Sequence, residues 1–582
     1  MTSSLNTLTH PRLLHAGHGS KGLQARRASR VSNARRTLPE LLAVLAALTL
    51  TQAAVSAQEP KFYPDDPVLA DTALLNVSDE PRELELSDLF DRFGHIFGDV
   101  GEGGGEAQNV NTLDEVPDGN WFVNRHGVKR LSIEELRVGP NTTDGPNPNA
   151  PWRVFRSKSQ GLTPGFQIID DVGDRYIIKF DPVEVPELAS GAEVIATKLF
   201  HALGYHTPQN HIVRVRPENF VIESGTTLED QFGDERALTP ERLARVLRGV
   251  PRLPDGRLRV TASKHLDGQP LGPFRYFDTR SDDPNDVIPH EHRRELRGLR
   301  LFAAWTNHDD TRAQNTQDSW VEDGGVRYVR HHLLDFGSTF GSGSVEIQLA
   351  NLSFQYFLDM GEIKRNFYGL GLRAPKYRSV EWPEFPKYQS VGRWESVAFE
   401  PEEWKNDYPN PAFVRMTDRD AFWAAKILMR FTEEELLAVV RTGEYSDKDA
   451  ERYFYQVLVE RQQKSGRYAM TRVNPLDEFA LTGSAVEFVN LAERYGFVAT
   501  GTRYQTSWSL YLNETGAVLG LTEPTTGGDT VLPLPSTPRL TGDTYLMAEI
   551  RSMHPNFPAW NRPVRVYVRP DGGSFDLVGI DR

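Results

Sequence analysis

The chain has 582 residues and no cysteine, which excludes disulfides, thiolate metal sites and cysteine nucleophiles. A chain of this length is expected to contain more than one hydrophobic core. Its composition, with 39% hydrophobic and 25% charged residues and a formal net charge of -14, is typical of a globular protein and unfavourable for a nucleic-acid-binding one.

Residues 1–57 predict an export signal. A basic stretch that ends at Arg36 precedes the apolar residues 41–50, and small residues lead to Ala57, after which we expect cleavage. An amphipathic or membrane-anchoring segment is the alternative interpretation. No later apolar run reaches the about 18 residues that a membrane span needs. We therefore predict an exported chain, periplasmic or secreted, that has no membrane span after cleavage.

Residues 58–150 are rich in Gly, Pro, Asp and Asn, which predicts an irregular and mobile extension with a few docked segments. Within it, Phe90, Phe93, Ile96 and Phe97 follow helical spacing, and we expect them to pack as one stripe. The folded core is therefore expected to begin near residue 151.

Between 151 and 483 the sequence alternates short strands and longer helices, which predicts an α+β core. The strands are expected at 152–156, 166–169, 175–180, 211–215, 258–263, 319–321 and 326–329. The helices are expected at 188–203, 291–305, 419–429, 433–440 and 447–464. Most of 217–290 indicates irregular chain.

Alternating apolar and polar residues between Gly and Pro turns predict a separate β-rich domain at 484–582. It contains the aromatic residues Trp508, Tyr511 and Trp560. Aromatic residues of a β domain belong more often to its core than to a binding surface, so we do not infer glycan binding from them.

The strand-rich segment contains three features that suit a polyphosphate. Gly161 and Gly165 lie in the loop between the first two strands, where they allow backbone amides to approach phosphates closely, although an ordinary hairpin loop has the same composition. Lys179 lies among apolar residues of the third strand and offers an ammonium. Glu193 lies fourteen residues later in the helix, where a carboxylate can orient that lysine.

Two later segments contain carboxylates and an amide in positions suited to proton transfer and metal binding. Asp310 and Asn315 stand five residues apart in a loop that directly follows a predicted helix. Asp335 leaves an apolar strand and is followed by Phe336 and Gly337. A carboxylate can accept the proton of an attacking hydroxyl, and carboxylate or amide oxygens bind Mg²⁺.

In this order, the glycine loop, strand lysine, helix glutamate, His-x-Asp-x4-Asn loop and Asp-Phe-Gly segment resemble the protein-kinase-like superfamily over roughly 150–475. The resemblance implies a two-lobed fold, with an N-lobe at about 151–265 and a C-lobe at about 285–475. It also implies ATP and Mg²⁺ or Mn²⁺ as cofactors. The residue roles that it implies are nucleotide binding by Gly161, Gly165 and Lys179, ion pairing by Glu193, a catalytic base at Asp310, and metal ligands at Asn315 and Asp335.

The sequence departs from the ordinary Ser/Thr kinases at three points. The glycine loop is incomplete, Asp309 stands where those kinases have an arginine, and Ala374-Pro375-Lys376 is the nearest match to Ala-Pro-Glu. The short N-lobe and the local sequence around Glu193 are more similar to those of atypical kinases such as the HipA, CotH and secretory-pathway types.

The expected function is transfer of the ATP γ-phosphoryl group to a hydroxyl of a protein, a glycan or a small molecule. One alternative is AMP transfer by the same kind of site, because fold does not settle the chemistry. Another is a non-catalytic exported scaffold on a degenerate kinase fold. The Asn-x-Ser/Thr sites at Asn76, Asn141, Asn351 and Asn513 would be usable in a eukaryotic secretory pathway, whereas arginine richness and the leader indicate a bacterial periplasm.

Overall fold

The computed structural model describes residues 59–63, 74–98, 104–157, 165–229, 235–368, 374–385, 389–537, 540 and 543–582. The predicted export signal, 1–57, and Gly161 lie outside these ranges. The described part confirms the α+β class, and from Pro60 onward it forms one compact unit. The domain boundaries near 150 and 484 stay predictions. No helix within these ranges is long and apolar enough to cross a membrane.

The helices of the described ranges are numbered in chain order. They are α1 (Asp88–Phe97), α2 (Arg125–Val128), α3 (Ile133–Val138), α4 (Leu188–Leu203), α5 (Pro240–Arg248), α6 (Arg294–Thr306), α7 (Met360–Tyr368), α8 (Pro411–Val414), α9 (Asp418–Leu428), α10 (Glu433–Val440), α11 (Lys448–Met470) and α12 (Leu491–Arg494). Capping boxes at Ser132, Thr417 and Thr432 begin α3, α9 and α10, because each side chain accepts from a backbone N–H that the helix leaves unpaired.

The strands fall into two groups along the chain. Up to residue 333 they are β1 (Trp152–Ser157), β2 (Gly165–Ile169), β3 (Arg175–Phe180), β4 (Asn210–Val215), β5 (Phe220–Ile222), β6 (Thr227–Glu229), β7 (Glu235–Ala237), β8 (Leu258–Lys264), β9 (Gln269–Pro270), β10 (Thr316–Asp323) and β11 (Val326–Leu333). The later strands are β12 (Leu476–Thr482), β13 (Ala485–Asn490), β14 (Arg503–Leu512), β15 (Ala517–Gly520), β16 (Thr525–Gly527), β17 (Val531–Pro533), β18 (Thr544–Met553), β19 (Val564–Asp571) and β20 (Ser574–Asp581).

A six-stranded sheet with the order β4-β8-β3-β2-β1-β5 carries the first predicted site residues. Its strands pair antiparallel except for β1 and β5, which pair parallel. Side chains alternate between the faces of a strand, so Ile178 and Phe180 of β3 belong to an apolar core while Lys179 lies on the opposite face.

Helix α5 covers the apolar face of this sheet and is a helix that the sequence analysis did not predict. Its Leu243 and Leu247 pack in the same core as Trp152. Thr239 caps the helix by accepting from the backbone N–H of Arg242, and Pro240 occupies its first turn. A threonine cap followed by proline is a recognisable start signal, so this part of 217–290 was predictable.

The largest apolar core joins helices α4, α6, α9, α10 and α11. Trp121, Phe122 and Leu136 are buried in that same core, with exposures of 5%, 1% and 0%. These residues belong to docked segments of the kind that we expected within 58–150. They are integral parts of the folded unit.

Helix α1 is positioned differently from the expectation. Phe90 and Phe97, predicted to pack, are 80% and 65% exposed. The helix is attached through its polar residues instead, because Tyr408 donates to Asp91 at 2.7 Å and Arg92 pairs with Asp407 at 2.9 Å. Helical spacing identified the stripe but not the side of the helix that the protein covers.

The C-terminal part is rich in strands, which form the sheets β12-β13-β17 and β15-β14-β18-β19-β20, with β16 pairing to β14. The aromatic residues Trp508, Tyr511 and Trp560 are buried, as expected for core residues. Phe62 from the N-terminal part packs with Tyr511 and two other tyrosines. Both its backbone N–H and its carbonyl bond the side-chain amide of Asn513, at 2.9 and 2.7 Å.

Candidate active site

Lys179 is the centre of the first cluster of predicted site residues. Its Nζ lies 2.9 Å from Oε2 of Glu193 and 2.9 Å from Oδ1 of Asp335, so β3, α4 and the loop after β11 meet at one ammonium. The side chains of Lys179 and Glu193 are 13% and 3% exposed, and that of Asp335 is 39% exposed. Burial alone would lower the pKa of Lys179, but the two carboxylates outweigh it and raise that pKa. The lysine therefore stays charged.

The carboxylate of Glu193 is fixed from its other side by Asn210, a residue that the sequence analysis did not identify. The Asn210 amide donates to Oε1 of Glu193 at 3.2 Å and to Oγ1 of Thr197 at 2.7 Å. Asn210 begins β4 and is buried. Nothing in its local sequence distinguishes it from a strand-end asparagine, so no sequence signal was available.

The glycine loop is described only at its end. Gly165 begins β2 and lies directly opposite Lys179 in the antiparallel pair β2–β3. It is buried, so its backbone lies close to the lysine-bearing strand. Gly161 lies outside the described residues.

Asp335 adopts a left-handed backbone conformation, with φ of 52°. The next residue, Phe336, is fully buried and contacts Phe200 of α4 and His308, with ring centroids 5.0 and 5.5 Å apart. The backbone N–H of Leu334 donates to the carbonyl of Asn315 at 2.8 Å. This bond and the buried ring place the loop after β11 beside the loop after α6.

Asp310 and Asn315 form the second cluster. Helix α6 ends at Asn307 in a left-handed conformation, and a 3-10 turn at Ala313–Asn315 brings the two residues together. The Asn315 amide donates to Oδ2 of Asp310 at 2.8 Å and to its backbone carbonyl at 2.7 Å. Arg312, not identified from the sequence, approaches Oδ1 of Asp310 to 2.8 Å.

The second cluster differs from the first in its titration. Burial raises the pKa of Asp310 to about 6, against the opposing effects of Arg312 and the Asn315 hydrogen bond. The Asp335 carboxylate raises it further, which shows that the two clusters influence each other. Burial also lowers the pKa of His308 to about 4. At neutral pH the loop therefore presents a carboxylate at Asp310 and a neutral imidazole beside it.

Asp309, which stands where the kinase motif has an arginine, is buried. Burial raises its pKa, and the neighbouring carboxylates of Asp310 and Asp407 raise it further. Its backbone carbonyl accepts from the N–H of Asp407 at 2.9 Å. A buried carboxyl group with a raised pKa, whose backbone anchors a neighbouring segment, thus occupies the position where an arginine was expected.

The structure brings five of the predicted residues, Lys179, Glu193, Asp310, Asn315 and Asp335, into two adjacent clusters, with Gly165 beside the first. Across the described ranges, no group of three or more His, Asp or Glu side chains forms a metal cage. His331 contacts the carboxylate of Asp318 at 2.6 Å.

Comparison with protein-family models and with curated proteins gives no match. Among solved structures, the chain is similar to that of a Helicobacter pylori proinflammatory kinase, CtkA, at 10% sequence identity and a TM-score of 0.28. The similarity covers 56% of this chain and 95% of that chain. A TM-score of this size carries no argument about the function of this chain.

Proposed function

We propose that this chain is a metal-dependent, protein-kinase-like phosphotransferase that transfers the γ-phosphoryl group of ATP to a hydroxyl acceptor. The observation that supports it most is the shared ammonium of Lys179, which contacts a helix carboxylate and a loop carboxylate 156 residues further along the chain. Active protein kinases require this strand lysine, helix glutamate and Asp-Phe-Gly aspartate to be in place together.

The order of the elements supports a two-lobed, kinase-like layout. Strands β1, β2 and β3 pair in sequence, α4 follows, and β4 and β8 complete the same sheet on the far side of β3. The hairpin β10–β11 then connects the Asp310 loop to Asp335, as the kinase motif order requires. In protein kinases the packing of the Asp-Phe-Gly phenylalanine sets the active or inactive state, and Phe336 is packed in the core.

The second cluster suits a metal that also binds nucleotide phosphates. Both side-chain hydrogen bonds of Asn315 use its amide nitrogen, so its side-chain oxygen Oδ1 is the atom left to bind a cation. The Asp335 carboxylate is 39% exposed. Mg²⁺ commonly takes one or two protein oxygens and completes its shell with water and phosphates, so a cage of three side chains is not needed. Such a metal would supply neutralisation of the phosphate charge.

The remaining chemistry belongs to residues of this chain. Lys179 would bind a phosphate oxygen, since its ammonium is fixed and charged, and Glu193 would hold it in position. Asp310 would accept the proton of the acceptor hydroxyl, because a pKa of about 6 leaves it ionised at neutral pH and still basic. Asn315 and Arg312 fix the direction of that carboxylate.

The alternative of a non-catalytic scaffold would contact partners through the C-terminal β-rich part. The aromatic residues of that part that a partner surface could use, Trp508, Tyr511 and Trp560, are buried. Phosphoryl and AMP transfer are separated by the products, which are ADP in the first case and pyrophosphate in the second. Export of the chain, to the periplasm or beyond, stays a prediction.

The test is product analysis of the full chain with ATP and Mg²⁺ or Mn²⁺, beside Asp335→Ala. We expect ADP from the parent chain and none from the variant, with both folded. Asp323→Ala is the matched control, since Asp323 lies on the same hairpin and is 68% exposed. Nucleotide at about 100 times its Kd should also raise stability by about 2.7 kcal/mol. Parent-like turnover by Asp335→Ala would contradict the proposal.

A further inference from the structure

Five residues, of which all but the exposed Ser446 are buried, surround the N-terminus of α4 and do not belong to either cluster of the candidate site. These residues, named here the helix clamp, are Asp181, Glu187, Ser190, Arg259 and Ser446. Three of them lie between Lys179 and Glu193 along the chain, where Asp181 follows Lys179 by two residues and Ser190 precedes Glu193 by three. The clamp therefore acts on the segment that brings these two side chains together.

Asp181 joins the end of β3 to the start of α4. Its carboxylate accepts from the backbone N–H of Ser190 at 2.9 Å, from the Ser190 hydroxyl at 2.5 Å and from the backbone N–H of Glu187 at 3.1 Å. The residue before the helix, Glu187, offers no cap of its own. Asp181 thus satisfies backbone donors that the first turn of a helix leaves unpaired.

Arg259 connects this carboxylate to the chain between α10 and α11. It lies on β8, is 6% exposed, and places its guanidinium 4.0 Å from Asp181. Its Nε donates to the Ser190 hydroxyl at 3.0 Å, and its two terminal nitrogens donate to the carbonyls of Gly443 and Glu444 at 2.6 and 3.1 Å. The Arg259 side chain therefore links strand β8, helix α4 and the segment between α10 and α11.

Glu187 makes a second link to the same region. It adopts a left-handed conformation, with φ of 70°, and its Oε2 accepts from the backbone N–H and the hydroxyl of Ser446 at 2.9 and 3.1 Å. The helix also lies directly against Tyr445, since a Cβ at Gly191 would come within 2.7 Å of that ring. Outward movement of α4 would break all of these contacts and leave buried carboxylates without donors, which is costly.

We propose that Asp181, Glu187 and Arg259 are positioning residues that hold α4 where Glu193 meets Lys179, so that the nucleotide site is assembled in the unmodified chain. The inference rests on the proposed phosphotransferase function. In protein kinases, the position of this helix is a common point of control, often through phosphorylation of a loop. In this chain, hydrogen bonds to the segment between α10 and α11 fix the position of α4 without any such modification.

The test compares Arg259→Met with Arg214→Met in the full chain. Arg214 lies directly opposite Arg259 on β4, and it pairs with the same Glu444, through an exposed carboxylate at 2.6 Å. Hydrogen exchange without nucleotide should accelerate at least tenfold in the first two turns of α4 in Arg259→Met and stay unchanged in Arg214→Met. Competitive acetylation should show a more reactive Lys179 only in Arg259→Met, while Lys426, whose side chain is 11% exposed, keeps the reactivity that it has in the parent chain. General destabilisation would raise the reactivity of both lysines.

Nucleotide binding completes the test, with a fluorescent ATP analogue and Mg²⁺ as the probe. Arg259→Met should weaken binding about tenfold, and phosphatase treatment of the parent chain should leave its affinity unchanged. If Arg259→Met does not fold, Ser446→Ala and Glu187→Gln take its place and should show smaller changes of the same sign. Unchanged exchange and Lys179 reactivity in the folded variants, or loss of binding after phosphatase treatment, would overturn the inference. Absence of any binding by the parent chain would instead reject the proposed function, while the exchange data still decide on the clamp.

Discussion

The two clusters of the candidate site hold their charges in different ways. In the first, one ammonium lies between the carboxylates of Glu193 and Asp335, and the lysine stays charged because the carboxylates outweigh its burial. In the second, burial prevails over Arg312 and raises the pKa of Asp310 to about 6. A compensated charge suits the fixed task of holding a phosphate, whereas a carboxylate with a raised pKa suits one that must take up a proton.

The largest effect is expected from breaking the compensated cluster. Lys179→Ala leaves the Glu193 carboxylate, 3% exposed, without its cation, so the free energy of unfolding should fall by about 3–5 kcal/mol. Denaturant unfolding measures this. Lys264→Ala on the neighbouring strand β8 is the control, because its partner Asp174 is 34% exposed and such a pair is worth about 1 kcal/mol or less. Equal losses of unfolding free energy in Lys179→Ala and Lys264→Ala would contradict the expected difference between the buried pair and the more exposed one.

The second cluster should make both turnover and stability depend on pH. Turnover should fall about tenfold per pH unit below about 6, as Asp310 becomes protonated, and Asp310→Asn should lose roughly 10²–10⁴-fold without retaining that slope. Stability should move in the opposite direction. Because the folded pKa lies above the unfolded value of about 3.9, the folded state binds more protons between these values, and Asp310 destabilises the fold as pH rises through that range. A pH-rate profile that is flat down to pH 5 would contradict this assignment.

A smaller effect is expected from the amide that fixes Glu193. Asn210→Ala removes donors to Glu193 and Thr197 and should cost about 1–3 kcal/mol of stability, with weaker binding of an ATP analogue. Gln209→Ala, at the adjacent residue, removes an exposed bond to Thr142 and should change stability by less than about 0.5 kcal/mol. Thermal unfolding of both variants makes the comparison, and a neutral Asn210→Ala would show that Glu193 is held by Lys179 alone.

The smallest change sharpens the electrostatic argument. Arg312 opposes the rise in the pKa of Asp310, so Arg312→Gln should raise that pKa and move the acid limb of the pH-rate profile to higher pH. The slope of the limb should stay the same, because a single carboxyl still titrates. An unchanged limb would mean that another group sets it.

The local parts of the fold were predictable because their signals are local. Helix α4 has the bounds expected from its apolar stripe and from Gly204, and α10 begins behind the capping box at Thr432. The order of Lys179, Glu193, Asp310, Asn315 and Asp335 along the chain also indicated which residues meet.

Partners that come from distant parts of the chain were not predictable, because the sequence of one segment does not specify which other segment it contacts. Asn210 and Arg259 sit on strands with ordinary local sequences, and their roles come from contacts with α4 and with Glu444. The burial of Trp121 was missed for a similar reason, because a segment rich in Gly and Asn can still dock a few large side chains on a distant core. In α1, spacing gave the stripe and tertiary contacts decided that it faces outward.

The packing of Phe62 against the C-terminal strands has a consequence for how the protein is produced. Asn513, whose amide is 5% exposed and fully engaged with the Phe62 backbone, belongs to an Asn-x-Thr glycosylation sequence. A glycan attached to that nitrogen before folding would occupy the place of the Phe62 carbonyl and prevent the segment from docking. A eukaryotic secretory host would therefore yield chains with a loosened N-terminal segment, which a bacterial host or a Thr515→Ala substitution would avoid because both keep the Asn513 amide unmodified.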